Sequence, residues 1–207
     1  MPIYAKATKT YEPMPAGNYP AICCMMVDLG SVPKAEKYRK SEGGEQLWHA
    51  VYIRWEFPDE TKVFSEERGP EPYTINKTYT LSLGFKTDLR KHLEAWRGKA
   101  FTDQEAENFD ITKLIGKPCL INVYHEEKDG SVSAKIASIS PIPKGMTAPK
   151  PFNKPVLLSF DEWDESVYMS LPEWMRERIA ESEEYKAMHG EAVAPPPPAS
   201  DDDDLPF

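Results

Sequence analysis

Residues 47–57 read LWHAVYIRWEF. One parity of this stretch holds Leu47, His49, Val51, Ile53, Trp55 and Phe57; the other holds Trp48, Ala50, Tyr52, Arg54 and Glu56. A period of two, with so many aromatic and β-branched residues, fits a strand and resists a helix. The aliphatic parity is expected to face a barrel interior. Trp48, Tyr52 and Arg54 then share the outer face, and the alternative for Trp48 is a ring turned into the core.

Working outward from this strand, Asn18 to Leu29 (NYPAICCMMVDL) is a β-like apolar run, preceded by an irregular Pro-containing entry and closed by Gly30. A polar loop over 31–46 carries Lys37-Tyr38-Arg39-Lys40 and ends near Gly43-Gly44. Downstream, a polar, proline-containing connection leads to a strand over Thr74 to Leu83. Lys86 to Arg97 follows as a helix, because Leu89, Leu93 and Trp96 recur at spacings of four and three. Thr87 or Asp88 can cap its start and Gly98 can stop it. Lys117 to Glu126 and Ser131 to Ile139 are two further strands, joined by a turn at Lys128-Asp129-Gly130. Five strands with one helix between the third and fourth is the element order of an OB-fold, a small mainly β barrel.

Three segments are expected: a folded domain over 1–150, a helical acidic extension over 151–190, and a Pro-rich spacer with an acidic end over 191–207. Residues 141–155, rich in Pro and Lys, read as a linker. Ser170 precedes Leu171-Pro172-Glu173, a Ser-x-x-Glu capping box that predicts a helix running to about Met188. Among the acids of this extension stand Phe160, Trp163, Tyr168 and Trp174. These rings are expected to dock back on the core, to join a homo-oligomer interface, or to bind a partner. Pro195 to Pro198 form a polyproline spacer that cannot pack a core, and a disordered acidic tail is expected beyond it.

The net charge of −9 argues against a polyanionic partner until its distribution is read. Residues 1–154 hold 22 Lys/Arg against 20 Asp/Glu, whereas residues 155–207 hold 3 against 14. Acid concentrated at one end is a mark of nucleic-acid binders with an acidic tail. No apolar run approaches the roughly 20 residues of a membrane-spanning helix, and no signal peptide is expected. The three cysteines, Cys23, Cys24 and Cys119, lie in apolar runs. They read as buried free thiols of a cytoplasmic protein.

The last seven residues are Asp201-Asp202-Asp203-Asp204-Leu205-Pro206-Phe207. This motif resembles the acidic C-terminal tip of bacterial single-stranded-DNA-binding proteins. The Asp run would steer toward a basic rim, Pro206 would limit the backbone, and Phe207 would fill an apolar pocket. The alternative is an ordinary solubilising acidic tail, which has no need of Leu-Pro-Phe. The segments LGFKTDLRKHLEAWRGKAF, GKPCLINVYHEEKDG and SAKIASISPIPKG also resemble bacteriophage OB-fold single-stranded-DNA-binding proteins, over roughly residues 15–145.

That resemblance implies a protein that coats single strands without sequence choice and recruits replication or recombination proteins through its tip. A recombination factor, an annealing protein or nuclease that uses the tip to join host machinery, is the second reading. Single strands are held by base stacking on aromatic rings and by cations along the phosphates. The expected DNA contacts are Trp48, Tyr52 and Arg54 on the central strand, Tyr124 and Lys135 on the last hairpin, and Lys37, Tyr38, Arg39 and Lys40 in the first loop, where OB-folds commonly grip nucleic acid. Lys62 and Lys77 are weaker candidates. No Gly-rich phosphate loop occurs, and the four His have no metal-ligand spacing with the Cys, so no enzyme activity and no cofactor are expected. Asp161, Asp164 and Glu165 could meet a cation, but a solvated acidic face is the simpler reading.

Overall fold

The computed structural model describes residues 12–33 and 47–190. Its frame is a six-stranded sheet in the order β3-β2-β1-β4-β5, with β6 also pairing β1. The strands are β1 (Gly17–Pro33), β2 (Leu47–Ser65), β3 (Gly69–Thr80), β4 (Pro118–Lys128), β5 (Ser131–Ser140) and β6 (Val156–Leu158). All pairings are antiparallel except β1–β6. β3 and β5 come near each other without pairing, so the sheet is open between them.

β1 organises the sheet. Its first half pairs with β4, Gly17 opposite Val123, and its second half with β2, Pro33 opposite Leu47. Irregularities between Cys23 and Met25 and between Asp28 and Gly30 bend it from one partner to the other. The sequence expectation ended this strand at Leu29 and the last one at Ile139, short by a few residues. The larger correction is the connection after Phe57. β2 continues to Ser65 and β3 begins at Gly69, so the segment read as a loop is a long hairpin arm. Its prolines fit because Pro58 lies in the register shift between Phe57 and Thr61, while Pro70 and Pro72 lie on β3, which among the described residues has only β2 as a ladder partner.

α1 (Asp88–Arg97) forms where the Leu89/Leu93/Trp96 stripe places it, with Thr87 as its N-cap and Gly98 as its C-cap. Two short elements the sequence reading passed over follow it. α2 (Asp103–Glu107) has a complete capping box between Thr102 and Glu105, and a 3-10 turn over Ile111–Leu114 is capped by Asp110. The β4–β5 turn is made by Asp129 and Gly130, both at positive φ (52° and 74°).

Two apolar layers flank the sheet. On one side Val51, Ile53, Trp55 and Phe57 of β2 pack with Cys23, Met26, Ile75, Tyr79, Leu89, Leu93, Trp96, Ile121 and Ile139. On the other, Ala50 and Tyr52 of β2 and Val27, Leu29 and Val32 of β1 pack with Leu158, Tyr168, Leu171, Met175 and Ile179. The second layer is built by the C-terminal extension, which is three helices and not the single one expected. They are α3 (Glu165–Ser170), α4 (Glu173–Ala180) and α5 (Glu183–Met188).

Ser170 does not cap the helix that follows it, since α4 starts after Pro172 with no side-chain cap, while Asp164 caps α3 by accepting from the Ser166 and Val167 amides. Ser170 is the last residue of α3, and its hydroxyl donates to the Val167 carbonyl. Pro172 then forces a break, and Ser182 opens α5 by accepting from the Tyr185 amide. Cys23, Cys24 and Cys119 are free and buried, as their apolar setting implied.

Gly30 shows how tightly the extension fits. It holds φ +73°, and a Cβ there would lie 2.6 Å from the Ser182 Cβ. Gly69 has the same φ with open space around it. Substituting Gly30 with Ala should therefore cost about 2–5 kcal/mol, the left-handed backbone plus overpacking. Gly69→Ala should cost only the backbone share, about 1–2 kcal/mol. Denaturant unfolding of the two variants measures the difference, and equal losses would refute the close seat of α5 on β1.

Candidate nucleic-acid interface

The expected outer face of β2 is where parity put it, opposite the Val51/Ile53/Trp55/Phe57 core. It is not open to solvent. Tyr52 is 3% exposed, its ring edge-on to Trp174 at 5.8 Å between centroids. Trp48 is half-buried against the same layer, and its indole Nε1–H finds no acceptor among the described residues. This corrects the sequence expectation for Tyr52, whose ring is covered by the extension, while Trp48 packs against the same layer and keeps part of its surface exposed. Burial pushes the Tyr52 phenol above its ordinary range, with Arg54 opposing.

Arg54 stands at the edge of the covered zone. Its guanidinium donates to the Tyr52 hydroxyl, from Nε at 3.1 Å and from Nη2 at 2.9 Å, and lies over that ring. It also lines an open cleft of about 580 Å³. One wall comes from the β2–β3 arm, with Phe64, Arg68, Glu71, Pro72 and Thr74. The other comes from Asn153, Lys154 and Val156 at the start of the extension, and Cys24 and Met25 of β1 complete the lining. Three cations thus face one carboxylate, Glu71, which itself pairs with Arg68 at 3.3 Å. Phe64 packs edge-on to Tyr73 at 5.3 Å. Burial pushes the Cys24 thiol up to about 12, which holds it in the protonated form.

The cleft's second wall is held by Glu56, which is fully buried. Its Oε1 accepts from the Phe152 amide at 2.8 Å, and its Oε2 accepts from the Asn153 side-chain amide at 2.7 Å and backbone amide at 3.2 Å. From the cleft, β3 continues with an exposed polar row, Thr74, Asn76, Thr78 and Thr80. Their neighbours of opposite parity, Ile75 and Tyr79, are in the core. At 3.3 Å per residue the row is about 20 Å long.

The last hairpin is uncovered too. Tyr124 and Lys135 are exposed, on the outward face the sequence reading expected, and stand directly opposite each other, with Glu126 3.9 Å from the Lys135 Nζ. Lys62 is engaged with Glu12 at 2.6 Å, and Lys77 with Asp88 at 3.1 Å. Lys37, Tyr38, Arg39 and Lys40 lie outside the described residues, as do Asp201, Asp202, Asp203, Asp204, Leu205, Pro206 and Phe207. Among the described residues no group of three His, Cys, Asp or Glu is placed to hold a metal.

Of the rings in the extension, Phe160, Trp163 and Tyr168 dock back on the sheet, and Trp174 stays half exposed. Sequence reasoning missed Arg68 and Lys154, which sat in segments read as connections. No helix of the described residues is long and apolar enough to cross a membrane. No protein-family model matches the chain, and no curated protein or solved structure does either.

A histidine stands between two carboxylates where α5 meets the sheet. His49 Nε2 lies 2.7 Å from Asp28 Oδ1, and its Nδ1 lies 3.6 Å from Glu184 Oε1. Glu184 accepts from the Ser31 amide at 2.6 Å and its hydroxyl at 2.7 Å. The hydrogen bond to Asp28 raises the His49 pKa above 6.5 against the effect of burial, with Asp28, Glu184 and Asp161 adding to the rise. A raised histidine stabilises the folded form fully below its unfolded pKa, and that contribution is lost as pH climbs through the raised value. Hydrogen exchange of the Glu183–Met188 amides, corrected for the intrinsic rate, should therefore show easier opening at pH 8 than at pH 6. His49→Gln should flatten the difference, and a pH-independent opening in the parent protein would refute the linkage.

Proposed function

We propose that the chain is a non-sequence-specific single-stranded-DNA-binding protein whose sheet is an OB-fold left open between β3 and β5. Strand order, the long bent β1 shared by β2 and β4, and a helix between β3 and β4 support the OB reading. The single observation that carries the binding reading is the cleft where Arg54, Arg68 and Lys154 converge at the head of the exposed Thr74–Thr80 row. Cations at one end and hydroxyl and amide groups along a strand suit a phosphate backbone, and none of them reads a base sequence.

Trp48 and Tyr52 have a different part in this reading. They seat the extension, and the nucleic acid runs beside it. Tyr124 and Lys135 supply a ring and a cation on a second uncovered strand pair. Lys37, Tyr38, Arg39 and Lys40 keep their proposed role as the gripping loop, and the DDDDLPF motif its proposed role of recruiting replication or recombination proteins. Both rest on sequence alone.

Fluorescence anisotropy with labelled oligo-dT across a salt series tests the proposal. The logarithm of the binding constant should fall linearly with log salt, with a slope of about −0.7 per phosphate neutralised. The triple variant Arg54→Ala, Arg68→Ala, Lys154→Ala should bind more weakly at low salt and lose about 2 from the magnitude of that slope. Absence of binding by the parent protein at low ionic strength would sink the reading. Strand annealing, or cleavage with Mg²⁺, would shift it to a recombination factor.

A further inference from the structure

Phe85 is the most exposed of the large hydrophobic residues among those described, at 74%. Isolated exposed apolar residues are ordinary, but this ring is held in place. Its turn is fixed by the Thr87 amide donating to the Gly84 carbonyl at 3.0 Å, and by the Thr87 hydroxyl donating to the Ser82 carbonyl at 2.8 Å and the Gly84 carbonyl at 2.9 Å. The Gly84 amide in turn donates to the Ser82 hydroxyl at 3.2 Å.

Beneath the ring lies the guanidinium of Arg90, 4.2 Å from the centroid. That cation is 5% exposed and locked by Glu94 at 2.9 Å, the Leu83 carbonyl at 3.0 Å and the Phe101 carbonyl at 3.0 Å. One face of the ring therefore rests on a fixed plane, and most of its surface is left to solvent. The loop follows directly on Thr80, the last member of the polar row on β3, and Lys86 beside it is exposed.

We infer that Phe85 is a base-stacking platform for single-stranded nucleic acid, with Lys86 meeting an adjacent phosphate. The inference rests on the single-strand-binding reading and adds a far end to it: cations at the cleft, hydroxyls along β3, a ring after its last residue. A preorganised ring gives up little rotamer freedom when a base lands on it, which is what makes exposure at this position useful. Stacking is also indifferent to base identity, in keeping with a binder that does not choose sequence.

Oligo-dT affinity of the full chain decides it, measured by anisotropy for the parent, Phe85→Ala, Phe85→Leu and Lys86→Ala. Removing one stacked base should weaken binding roughly 5- to 150-fold at fixed salt, with the salt slope unchanged, because no charge has been removed. Lys86→Ala should instead lower the slope by about 0.7. Phe85→Leu keeps an apolar cover over Arg90 and so guards against misfolding of the Ala variant. It should still bind several-fold more weakly than the parent, with a parent-like melting transition. Parent-like affinity in Phe85→Leu overturns the inference while leaving the broader reading intact. If the parent itself ignores oligo-dT, it is the broader reading that fails.

Discussion

A buried carboxyl group ties the two halves of the molecule together. Glu56 has no exposed surface, and isolating a polar group of this kind costs several kcal/mol unless its hydrogen-bonding capacity is met. It is met by one short segment, the Phe152 and Asn153 amides and the Asn153 side chain. Both carboxyl oxygens accept, so a glutamine here would aim an NH₂ group at one of these donors. The consequence is directional. The chain leaving β5 must cross the sheet at Glu56 before it can pair as β6 with Met25–Val27, and the three helices then fall on the face of β1 and β2. His49, Asp28 and Glu184 secure the far end of that same path.

Much of the sheet was legible because alternation and turn chemistry are local. The β2 parity, the α1 stripe with its Thr87 cap, and the Asp129-Gly130 turn can each be read from a few adjacent residues. The second layer also left a trace. β1 reads AICCMMVDL with almost no polar alternation, and the other parity of β2 carries Trp48, Ala50 and Tyr52. A strand apolar on both parities is a strand covered on both faces. A single barrel core has no second cover to offer, so the acidic aromatic segment that followed was the available one. Alternation was taken to mean an exposed outer face, and here it meant two interiors.

The site was less legible for a physical reason. Arg54, Arg68 and Lys154 belong to a strand, a hairpin turn and the start of the extension, and only the long β2–β3 arm and the Glu56 anchor bring them to one cleft. Nothing in their neighbouring residues marks them. Tyr124 and Lys135 could be put near one face from sequence because they flank a single local turn, whose two residues fix the register that sets them opposite each other. In the sequence Arg54 shares a parity with Trp48 and Tyr52. That parity holds in the structure, but the Arg54 cation lines the cleft while the Tyr52 ring is buried.

The covered face and the open row are two consequences of one arrangement. Among the described residues β3 has only β2 as a ladder partner, and an uncovered edge strand invites pairing with other chains unless it is blunted. Pro70 and Pro72 remove two amide donors from it, and Lys77 places a charge along it. Its outward side chains are threonine and asparagine, poor material for an apolar protein interface and good material for phosphates and sugars. By occupying β1 and β2, the extension spends the apolar side of the sheet on folding. What remains for a ligand is the strand with hydroxyls and the arm with cations. On the proposed reading Arg54, Arg68 and Lys154 are the positive end of that path, with Glu71 the carboxylate beside them in the cleft.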